Sequence, residues 1–393
     1  MTDRDPKSLQ PVLESSGGRR LVLVCGYYGF GNLGDEAILE ELLLELRELA
    51  APSDIVVLSN DPETTSARFG IASINRWHLK EILSLLFKTR LFVSGGGGLF
   101  QDSSSIKSVV YYSFLLSMAR MMGARTIVYA QGIGPLKSLP AIAMTKAALS
   151  TASAITVRDQ KSQDLLSSWN LSSILSADPV WCLKPSLLPD SIQDLLESCR
   201  IGHCQDTLIV GLSLRKTAGF ADDQALDLAR LLLVSLPQDA LLVPLILQEN
   251  QDRALLDRVV QTWLAQGRKS LDLPTDLDLL PSQWLSLIGR LDLVIGMRLH
   301  SLIMALKSGV MTVGLAYDPK VEHVMIQFGQ PFLNIVNQNC DKEALSGLPK
   351  LVNEALARRQ ELCDLAQTNA KSASSLACQN FQVLDKILSI QEL

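Results

Sequence analysis

The chain has 393 residues, a formal net charge of −5 at pH 7, 47% hydrophobic residues and only 5% aromatic residues. Because this length exceeds what one ordinary hydrophobic core serves, it predicts two domains. The negative net charge and the lack of a dense cluster of lysine and arginine exclude broad nucleic-acid binding. An anionic substrate would therefore have to be held by a few placed arginines.

The cysteines and the start of the chain narrow the class further. The seven cysteines lie at positions 25, 182, 199, 204, 340, 363 and 378 with no CxxC pair, which disfavours a zinc site and indicates reduced thiols. Residues 1–19 are polar and predict a disordered leader, not a signal peptide. No uninterrupted apolar stretch reaches the ~18 residues of a membrane span. We expect a soluble cytoplasmic protein.

The first predicted strand, Leu21–Cys25, leads into a glycine-rich loop and a helix that runs to about residue 50. The loop contains a GxGxxG pattern between a strand and a helix, which is the context of a dinucleotide-binding fingerprint. Asp35 and Glu36 follow in the first helical turn, where two carboxylates would repel a pyrophosphate. We expect them to be helix-dipole partners or hydrogen-bonding groups for a neutral hydroxylated ligand. The residues of this loop predicted to line a site are Gly31, Asn32, Gly34 and Asp35.

Strands and helices then alternate through the first half of the chain. The predicted strands are 55–59, 91–94, 125–130, 154–157 and 174–176, and the predicted helices are 77–88, 108–122 and 160–169, the last capped by Asp159. This alternation predicts a parallel sheet whose polar strand ends share one edge. The candidate site residues at these ends are Gly96, Gly97, Gln101, Asp102, Gln131 and Arg158. The four glycines at 95–98 either let backbone amides approach a ligand or permit a tight crossing between domains.

A break containing Pro185 and Pro189 predicts a linker at residues 185–206. Beyond it, strands are predicted at 207–214, 241–247, near 271, at 291–295 and at 311–315, and helices at 222–236, 251–265, 281–290 and 299–307. The pattern beyond residue 343 is helical nearly to the end, with a break expected at 372–375. The sequence thus predicts domains at 20–184 and 207–370, followed by a helical tail at 371–393.

Residues 296–301, Gly-Met-Arg-Leu-His-Ser, stand where a buried strand ends and a helix begins. In open parallel sheets ligands bind at this edge, and the amide groups of the helix N-terminus point there as well. Arg298 carries a permanent charge and His300 titrates near neutrality, so the two predict an anion site with a proton donor. Arg215 stands at the end of another predicted strand and would add a second cation.

Two doubly wound α/β halves of this kind predict two Rossmann-like domains facing each other across a central cleft. This is the architecture called GT-B among glycosyltransferases. Because fold class alone does not determine the reaction, function must be argued from the motifs at the strand ends.

Seven motifs, in the same order over about residues 20–325, resemble those of the polysaccharide pyruvyl transferase family. They are GYYGFGNLGDEA from Gly26, GGGLFQD from Gly96, QGIGP from Gln131, VRD from Val157, ADP from Ala177, RLHS from Arg298 and LAYDPK from Leu315. The subgroup that the chain most resembles is the bacterial one linked to anchoring of cell-surface polymers. The family's fold is GT-B-like, its donor is phosphoenolpyruvate, and its product is a pyruvate ketal on a sugar.

The resemblance implies roles for particular residues. It assigns the donor to the C-terminal domain, through Arg215, Arg298, Leu299, His300 and Ser301, and it turns the glycine loops of the N-terminal domain toward the acceptor. Each arginine would bind one anionic group of the donor, the phosphate or the carboxylate. His300 would protonate the enol carbon, and Asp35 would serve as base for the acceptor hydroxyl. Because arginines can stabilise the developing charge, no metal or cofactor is expected.

Three alternatives stay open from the sequence. A nucleotide-sugar glycosyltransferase would use the same fold, and Arg298 and His300 fit either donor. An NAD-linked enzyme would depend on the GxGxxG loop. A non-catalytic polysaccharide-binding or assembly protein would keep the fold without turnover. The acceptor sugar can be lipid-linked, which would bring the protein to the inner face of the plasma membrane as a peripheral protein.

Overall fold

The computed structural model describes residues 19–103, 105–201, 207–217, 219–271, 273–274, 278–335 and 342–389. The predicted leader up to residue 18 and the cysteines at 204 and 340 lie outside these residues. The chain divides into two compact units. Unit 1 comprises Met1–Leu183 and Ala373–Leu393, and unit 2 comprises Lys184–Ser372.

Unit 1 is built on a parallel sheet. Its strands are short runs of buried Val, Leu and Ile, as expected where helices cover both faces of a sheet. The strands are β1 Leu21–Cys25, β2 Ile55–Ser59, β3 Ala72–Asn75, β4 Thr89–Ser94, β5 Arg125–Gln131, β6 Ala154–Val157 and β7 Ile174–Leu175. The helices are α1 Leu33–Leu49, α2 Pro62–Phe69, α3 Leu79–Leu86, α4 Ile106–Met121, α5 Leu139–Leu149 and α6 Gln160–Ser168. Over the described residues the strand order is β3-β2-β1-β4-β5-β6-β7, and neighbouring strands are parallel.

Unit 2 repeats this plan. Its strands are β8 Ile209–Ser213, β9 Leu241–Pro244, β10 Lys269–Ser270, β11 Leu293–Gly296, β12 Met311–Ala316 and β13 Phe332–Asn334. Its helices are α7 Asp190–Ile201, α8 Asp222–Ser235, α9 Glu249–Ala265, α10 Pro281–Ile288, α11 Leu299–Lys307, α12 Pro319–Gln327, α13 Lys342–Leu345 and α14 Leu348–Ala357. The order in the described part of the sheet is β10-β9-β8-β11-β12-β13, again parallel. The predicted pair of Rossmann-like sheets is confirmed.

The last helix, α15 Arg359–Ser389, starts in unit 2 and ends in unit 1. The break expected at 372–375 is wrong, because the helix continues through the Ser-rich stretch. Ala370, Ala373 and Ala377 are buried at helical spacing, so packing of small side chains holds the backbone helical there. No helix in the described part of the chain is long and apolar enough to cross a membrane.

Several helices and strands were not predicted from the sequence pattern. They are α2, β3, α5, α12 and β13. Tertiary packing, not local periodicity, places them. Where periodicity was strong the prediction holds: α11 spans Leu299–Lys307 as expected, and Asp159 caps α6 by accepting from the amide of Ser162 at 2.8 Å.

Candidate active site

Three neighbouring strands of unit 2 end at one edge of the sheet, because β11 pairs in parallel with β8 on one side and with β12 on the other. Arg215 follows β8, Arg298 and His300 follow β11, and Tyr317 follows β12. The structure therefore brings the predicted donor residues to a common edge, where open α/β sheets bind ligands.

Arg215 is held by a tyrosine that was not among the predicted site residues. Its Nη1 donates a hydrogen bond of 2.9 Å to the hydroxyl of Tyr317, and its guanidinium carbon lies 5.6 Å from the centre of that ring. Tyr317 belongs to the LAYDPK motif, so its position directly after β12 was the available signal. A neutral phenol orients the guanidinium without cancelling its charge, and Arg215 is left as a half-buried cation at the edge.

Arg298 is placed differently, in a buried ion pair with Asp252 of α9. Its side chain is 7% exposed and that of Asp252 is fully buried. Nη2 donates to Asp252 Oδ1 at 2.5 Å, and Nε lies 3.1 and 3.2 Å from the two carboxylate oxygens. Nη2 also reaches the side-chain oxygens of Gln248 and Gln251, at 3.1 and 3.3 Å. These hydrogen bonds involve Nε and Nη2 and do not involve Nη1. While the ion pair with Asp252 is formed, Arg298 therefore cannot bind a substrate anion in a bidentate manner through Nε and Nη2.

Asp252 is fixed from its other side by the backbone. Its Oδ2 accepts from the amides of Leu247 and Gln248, at 3.1 and 2.9 Å. Burial raises the pKa of Asp252, and the hydrogen bonds and charge of Arg298 lower it, with a net shift upward. No distinctive sequence pattern marks Asp252, since an acid in the first turn of a helix is ordinarily a dipole partner.

The first turn of α11 contains the other predicted donor residues. Leu299 and His300 are half-buried, and the Nε2 atom of His300 is shielded from solvent. Ser301 is fully buried, and its hydroxyl donates to the carbonyl oxygen of Arg298 at 2.7 Å. Ser301 therefore closes its own helix turn. At the end of β8, the buried hydroxyl of Ser213 has no hydrogen-bond partner among the described residues.

In unit 1, the predicted acceptor residues at the ends of β1 and β4 come together. Asn32 caps α1 by accepting from the amide of Gly34 at 3.2 Å, and its side-chain amide donates to Asp35. A Cβ atom at Gly97 would lie 3.1 Å from Asp35 Oδ1, so the two loops touch at this point. Asp35 is half-buried and fixed by Asn32.

Glu36, next to Asp35, is a titratable group whose role sequence reasoning left undecided. It is 3% exposed, and its Oε1 accepts from the amide of Gly29 at 2.8 Å. Burial raises the pKa of Glu36 to about 7, opposed by the hydrogen bond from Gly29 and the charge of Arg68. Gly29 and Gly31 have φ of +74° and +67°, so this loop needs glycine for its turns. The contact made by Gly29 is with a carboxylate of the protein's own helix.

The glycine loop at 95–98 packs closely against side chains of unit 1. A Cβ atom at Gly95 would collide with the Tyr28 hydroxyl, and one at Gly96 would lie 2.7 Å from Ile38 Cγ2. Gln131 is fully buried; it accepts from the amide of Leu99 at 3.2 Å and donates to the carbonyl of Gly95. The packing therefore explains Gly95 and Gly96, and Gln131 braces their loop.

The other predicted acceptor residues also hold loops in place. Arg158 forms a buried ion pair of 2.5 Å with Asp178, which links the VRD and ADP motifs. Asp102 accepts from the amides of Lys137 and Ser138, both at 2.8 Å, and these bonds, that of Ser138 first, lower the pKa of Asp102. Gln101 lies half-buried beside Asp102. The partners of Arg158 and Asp102 are thus residues of neighbouring loops in unit 1.

Arg76 is a buried cation that the sequence reading missed because β3 was missed. It follows β3 and donates to the carbonyl of Gly26 at 2.7 Å and to the hydroxyl of Tyr112 at 3.0 Å. Its guanidinium also lies over the rings of Tyr111 and Phe30, at 4.6 and 5.2 Å. Arg76 thus ties the β1 end to α4 beside the predicted acceptor loops.

A sequence model of the polysaccharide pyruvyl transferases matches residues 32–319, which include the strand-end residues of both units. The chain belongs to this family. Polysaccharide pyruvyl transferases are transferases, so the expected enzyme class is confirmed. A comparison with curated proteins gives no significant match.

Solved structures of similar fold include proteins in complex with UDP or a UDP-sugar. HepE of Anabaena, in complex with UDP and glucose, is 14% identical with a TM-score of 0.59, covering 94% of this chain and 100% of its own. A UDP-GlcNAc 2-epimerase from Neisseria meningitidis bound to UDP-GlcNAc is 9% identical with a TM-score of 0.59, covering 94% and 100%. A glycosyltransferase from Rickettsia africae is 11% identical with a TM-score of 0.55, covering 95% and 100%. At such identities the likeness shows the fold, which is the predicted GT-B type.

Proposed function

We propose that this pyruvyl transferase takes its carboxyethylidene group from phosphoenolpyruvate and places it across two hydroxyls of a sugar. The sugar belongs to a cell-surface polysaccharide or its lipid-linked precursor, and phosphate is released. The observation that carries the proposal is the common edge of β8, β11 and β12. Arg215, hydrogen-bonded to Tyr317, follows β8 there, and His300, in the first turn of α11, follows β11. Family membership supplies the reaction class.

The donor has two anionic groups, and Arg215 and Arg298 differ in how well their surroundings suit them to bind such a group. Among the described residues the hydrogen-bond partner of Arg215 is the hydroxyl of Tyr317, which carries no charge to offset that of the guanidinium, so we assign the phosphate to Arg215. Arg298 is neutralised in part by Asp252, and its ligand contact is limited to the Nη1 side. The unpartnered hydroxyl of Ser213 adds a donor between the two strand ends.

The reaction requires one proton delivered to carbon and one bond exchange at C2. His300 protonates the methylene carbon of the enol, and C2 accepts a sugar hydroxyl, whose proton goes to water. The C2–O bond to phosphate then breaks, and a second sugar hydroxyl attacks C2 and loses its proton to complete the ketal. The charge on C2 and on the departing phosphate is stabilised by the arginines.

The reaction is proposed to need neither metal nor cofactor. Among the described residues no group of three or more His, Cys, Asp or Glu side chains is placed to hold a metal ion. Turnover in the presence of chelator is therefore expected to equal turnover without it.

A nucleotide-sugar glycosyltransferase remains the second candidate, because the structural neighbours include a protein bound to UDP and glucose and another bound to UDP-GlcNAc. A donor competition separates the two. Under the proposed function, phosphoenolpyruvate protects the protein in a thermal shift assay and UDP-sugars do not displace it.

The decisive test is calorimetry with phosphoenolpyruvate on the wild type and on Arg215→Ala. Loss of one desolvated charge pair is expected to raise the dissociation constant by roughly two to three orders of magnitude, about 3–4 kcal/mol. The matched control is Arg230→Ala, which removes an arginine of α8 that is 64% exposed and paired with Asp227. Unchanged affinity in a folded Arg215→Ala variant would exclude Arg215 as donor ligand. Tight binding of UDP with none of phosphoenolpyruvate would favour the second candidate.

A further inference from the structure

Helix α4 is apolar on its outward face as well as on its inward face. Its inward residues, such as Leu115 and Leu116, are fully buried in the core of unit 1. The outward apolar residues, each between 37% and 78% exposed, are Ile106, Val110, Phe114 and Met121. They fall within about 80° of one another around the helix axis, so they form one continuous stripe. A helix on the surface of a protein that stays in water normally carries a polar stripe there.

The neighbouring helix continues this exposed apolar surface. Helix α5 packs against α4, and Leu139 in its first turn is 80% exposed. We call the outward faces of Ile106–Met121 and Leu139–Leu149 the α4–α5 surface.

Charge on helices α4 and α5 is of one sign, and the acid that borders their connecting loop is Asp102, which accepts from the amides of Lys137 and Ser138. Between residues 103 and 158 the sequence has no aspartate or glutamate and six lysines and arginines, although the whole chain has a net charge of −5. The exposed cations of the α4–α5 surface and its entry loop are Lys107, Arg120, Lys137 and Lys146. Around the axis of α4, Lys107 and Arg120 flank the apolar stripe on opposite sides.

We propose that the α4–α5 surface docks on a lipid bilayer that carries anionic headgroups. An apolar stripe bordered by lysine and arginine is the pattern of a helix that lies in the membrane interface. Long cationic side chains beside the stripe can reach phosphate headgroups while the apolar side chains enter the acyl boundary. A protein partner fits less well, since lysine is depleted at protein interfaces and no acidic side chain of this surface would pair with a partner's cations.

Docking would hold the enzyme beside a lipid-linked acceptor, and only that consequence rests on the proposed function. The contact itself can be measured without donor or acceptor. Failure of vesicle binding would therefore leave the pyruvyl transfer proposal standing, and the reverse also holds.

The experiment is flotation of the full chain with vesicles of phosphatidylcholine alone and of phosphatidylcholine with about one third phosphatidylglycerol. The wild type is expected to float with the anionic vesicles and to lose this binding as salt is raised. Combined Lys107→Gln and Arg120→Gln should lower the partition coefficient roughly thirtyfold, because each cation near an anionic surface contributes about a factor of five. Phe114→Ser and Met121→Ser should each lower it about tenfold or more.

The matched controls are Lys350→Gln and Val234→Ser, at positions that are 83% and 73% exposed in unit 2. Both are expected to float like the wild type, and a thermal melt confirms that every variant is folded. The proposal is overturned if the wild type does not float with anionic vesicles, or if the controls lose binding as much as the surface variants. It is also overturned if Phe114→Ser dissociates a dimer of this chain while vesicle binding is unchanged, since the surface would then be a contact between copies.

Discussion

Two arginines at the same sheet edge acquire different properties from their partners. Arg215 donates to the neutral hydroxyl of Tyr317, whereas Arg298 is paired with the buried carboxylate of Asp252. A phenol orients the guanidinium group and leaves its positive charge to act on a ligand. A carboxylate also orients the guanidinium group, but it offsets much of the positive charge. The first arginine is suited to binding an anion, and the second to holding the start of α11 in place.

His300 is expected to deliver a proton and not to act mainly as a ligand. His300→Gln keeps a hydrogen-bond donor and loses the titrating group, so the variant should bind phosphoenolpyruvate nearly normally. Its turnover should fall at least about a hundredfold, the lower range for loss of a positioned acid. The measurements are calorimetry for the donor and phosphate release for turnover.

His323→Gln is the control, because His323 is exposed on α12. In heavy water the wild type should place solvent deuterium in the methyl group of the ketal. If His300→Gln lost binding and turnover in equal proportion, His300 would be a ligand of the substrate and another group would be the acid.

Glu36 should make stability depend on pH. Its pKa is raised from 4.5 to about 7 in the folded protein, so the folded state holds this proton more tightly than the unfolded chain. The resulting stabilisation is complete below pH 4.5 and is lost as pH rises through about 7. Glu36→Gln keeps an acceptor for the amide of Gly29 and removes the charge. Relative to wild type, the variant should gain up to about 3 kcal/mol between pH 4.5 and pH 8.

Urea unfolding at a series of pH values measures this difference. Glu63→Gln, at an exposed position of α2, is the control and should show no such trend. A difference between Glu36→Gln and wild type that stays constant with pH would show that the pKa of Glu36 is the same in the folded and unfolded states.

Among the elements, α9 and α11 are joined by one buried contact. Asp252 in the first turn of α9 accepts from Arg298, which directly precedes α11, and from two backbone amides. Removing one partner leaves the other as an uncompensated buried charge. Asp252→Ala is therefore expected to destabilise unit 2 by about 3–5 kcal/mol.

A double-mutant cycle with Asp252→Ala and Arg298→Ala tests this contact by urea unfolding. We expect a coupling of about 2–3 kcal/mol, because the second substitution removes a charge that the first has stranded. The comparison pair is Glu249 and Arg253, an exposed pair four residues apart on the same helix, for which about 0.5 kcal/mol or less is expected. Additive effects at Asp252 and Arg298 would contradict the pairing.

At the scale of the whole molecule, the end of the chain returns to unit 1. Asn380 donates to the carbonyl of Ala177 at 3.0 Å, and Arg125 donates to the carbonyl of Ile387 at the same distance. Leu384 is fully buried there. The C-terminal part of α15 therefore completes the fold of unit 1, although unit 2 separates the two in sequence.

Leu384→Asp should destabilise unit 1 by at least about 3 kcal/mol, because it buries a charge without a partner. Hydrogen exchange is the measurement: amides of β1, β4 and β5 should lose protection, while those of β8 and β11 keep theirs. Gln382→Asp, an exposed change on the same helix, should leave both sets unchanged. Equal loss of protection in both sheets would show that the units unfold together.

The sequence by itself determined the alternation of strand and helix, the parallel sheets and the edge at which Arg215, Arg298 and His300 stand. Those features follow from local periodicity and from connectivity, since parallel strands joined by helices must end on one side. The limits of α11 were predictable for the same reason, because a buried strand, a glycine and an apolar helical pattern follow each other within a few residues.

Only the tertiary structure decided what each of these side chains contacts. Asp252 lies 46 residues from Arg298 in sequence, and Tyr317 lies 102 residues from Arg215. Similarly, Gln131 reached the glycine loop, and Arg158 reached Asp178, through packing of neighbouring strand ends. The order of the strands in the sheet and the packing of the side chains between them determine these partners. Local sequence patterns do not carry that information, because the same acid at a helix start can cap the helix, meet solvent or neutralise a distant arginine.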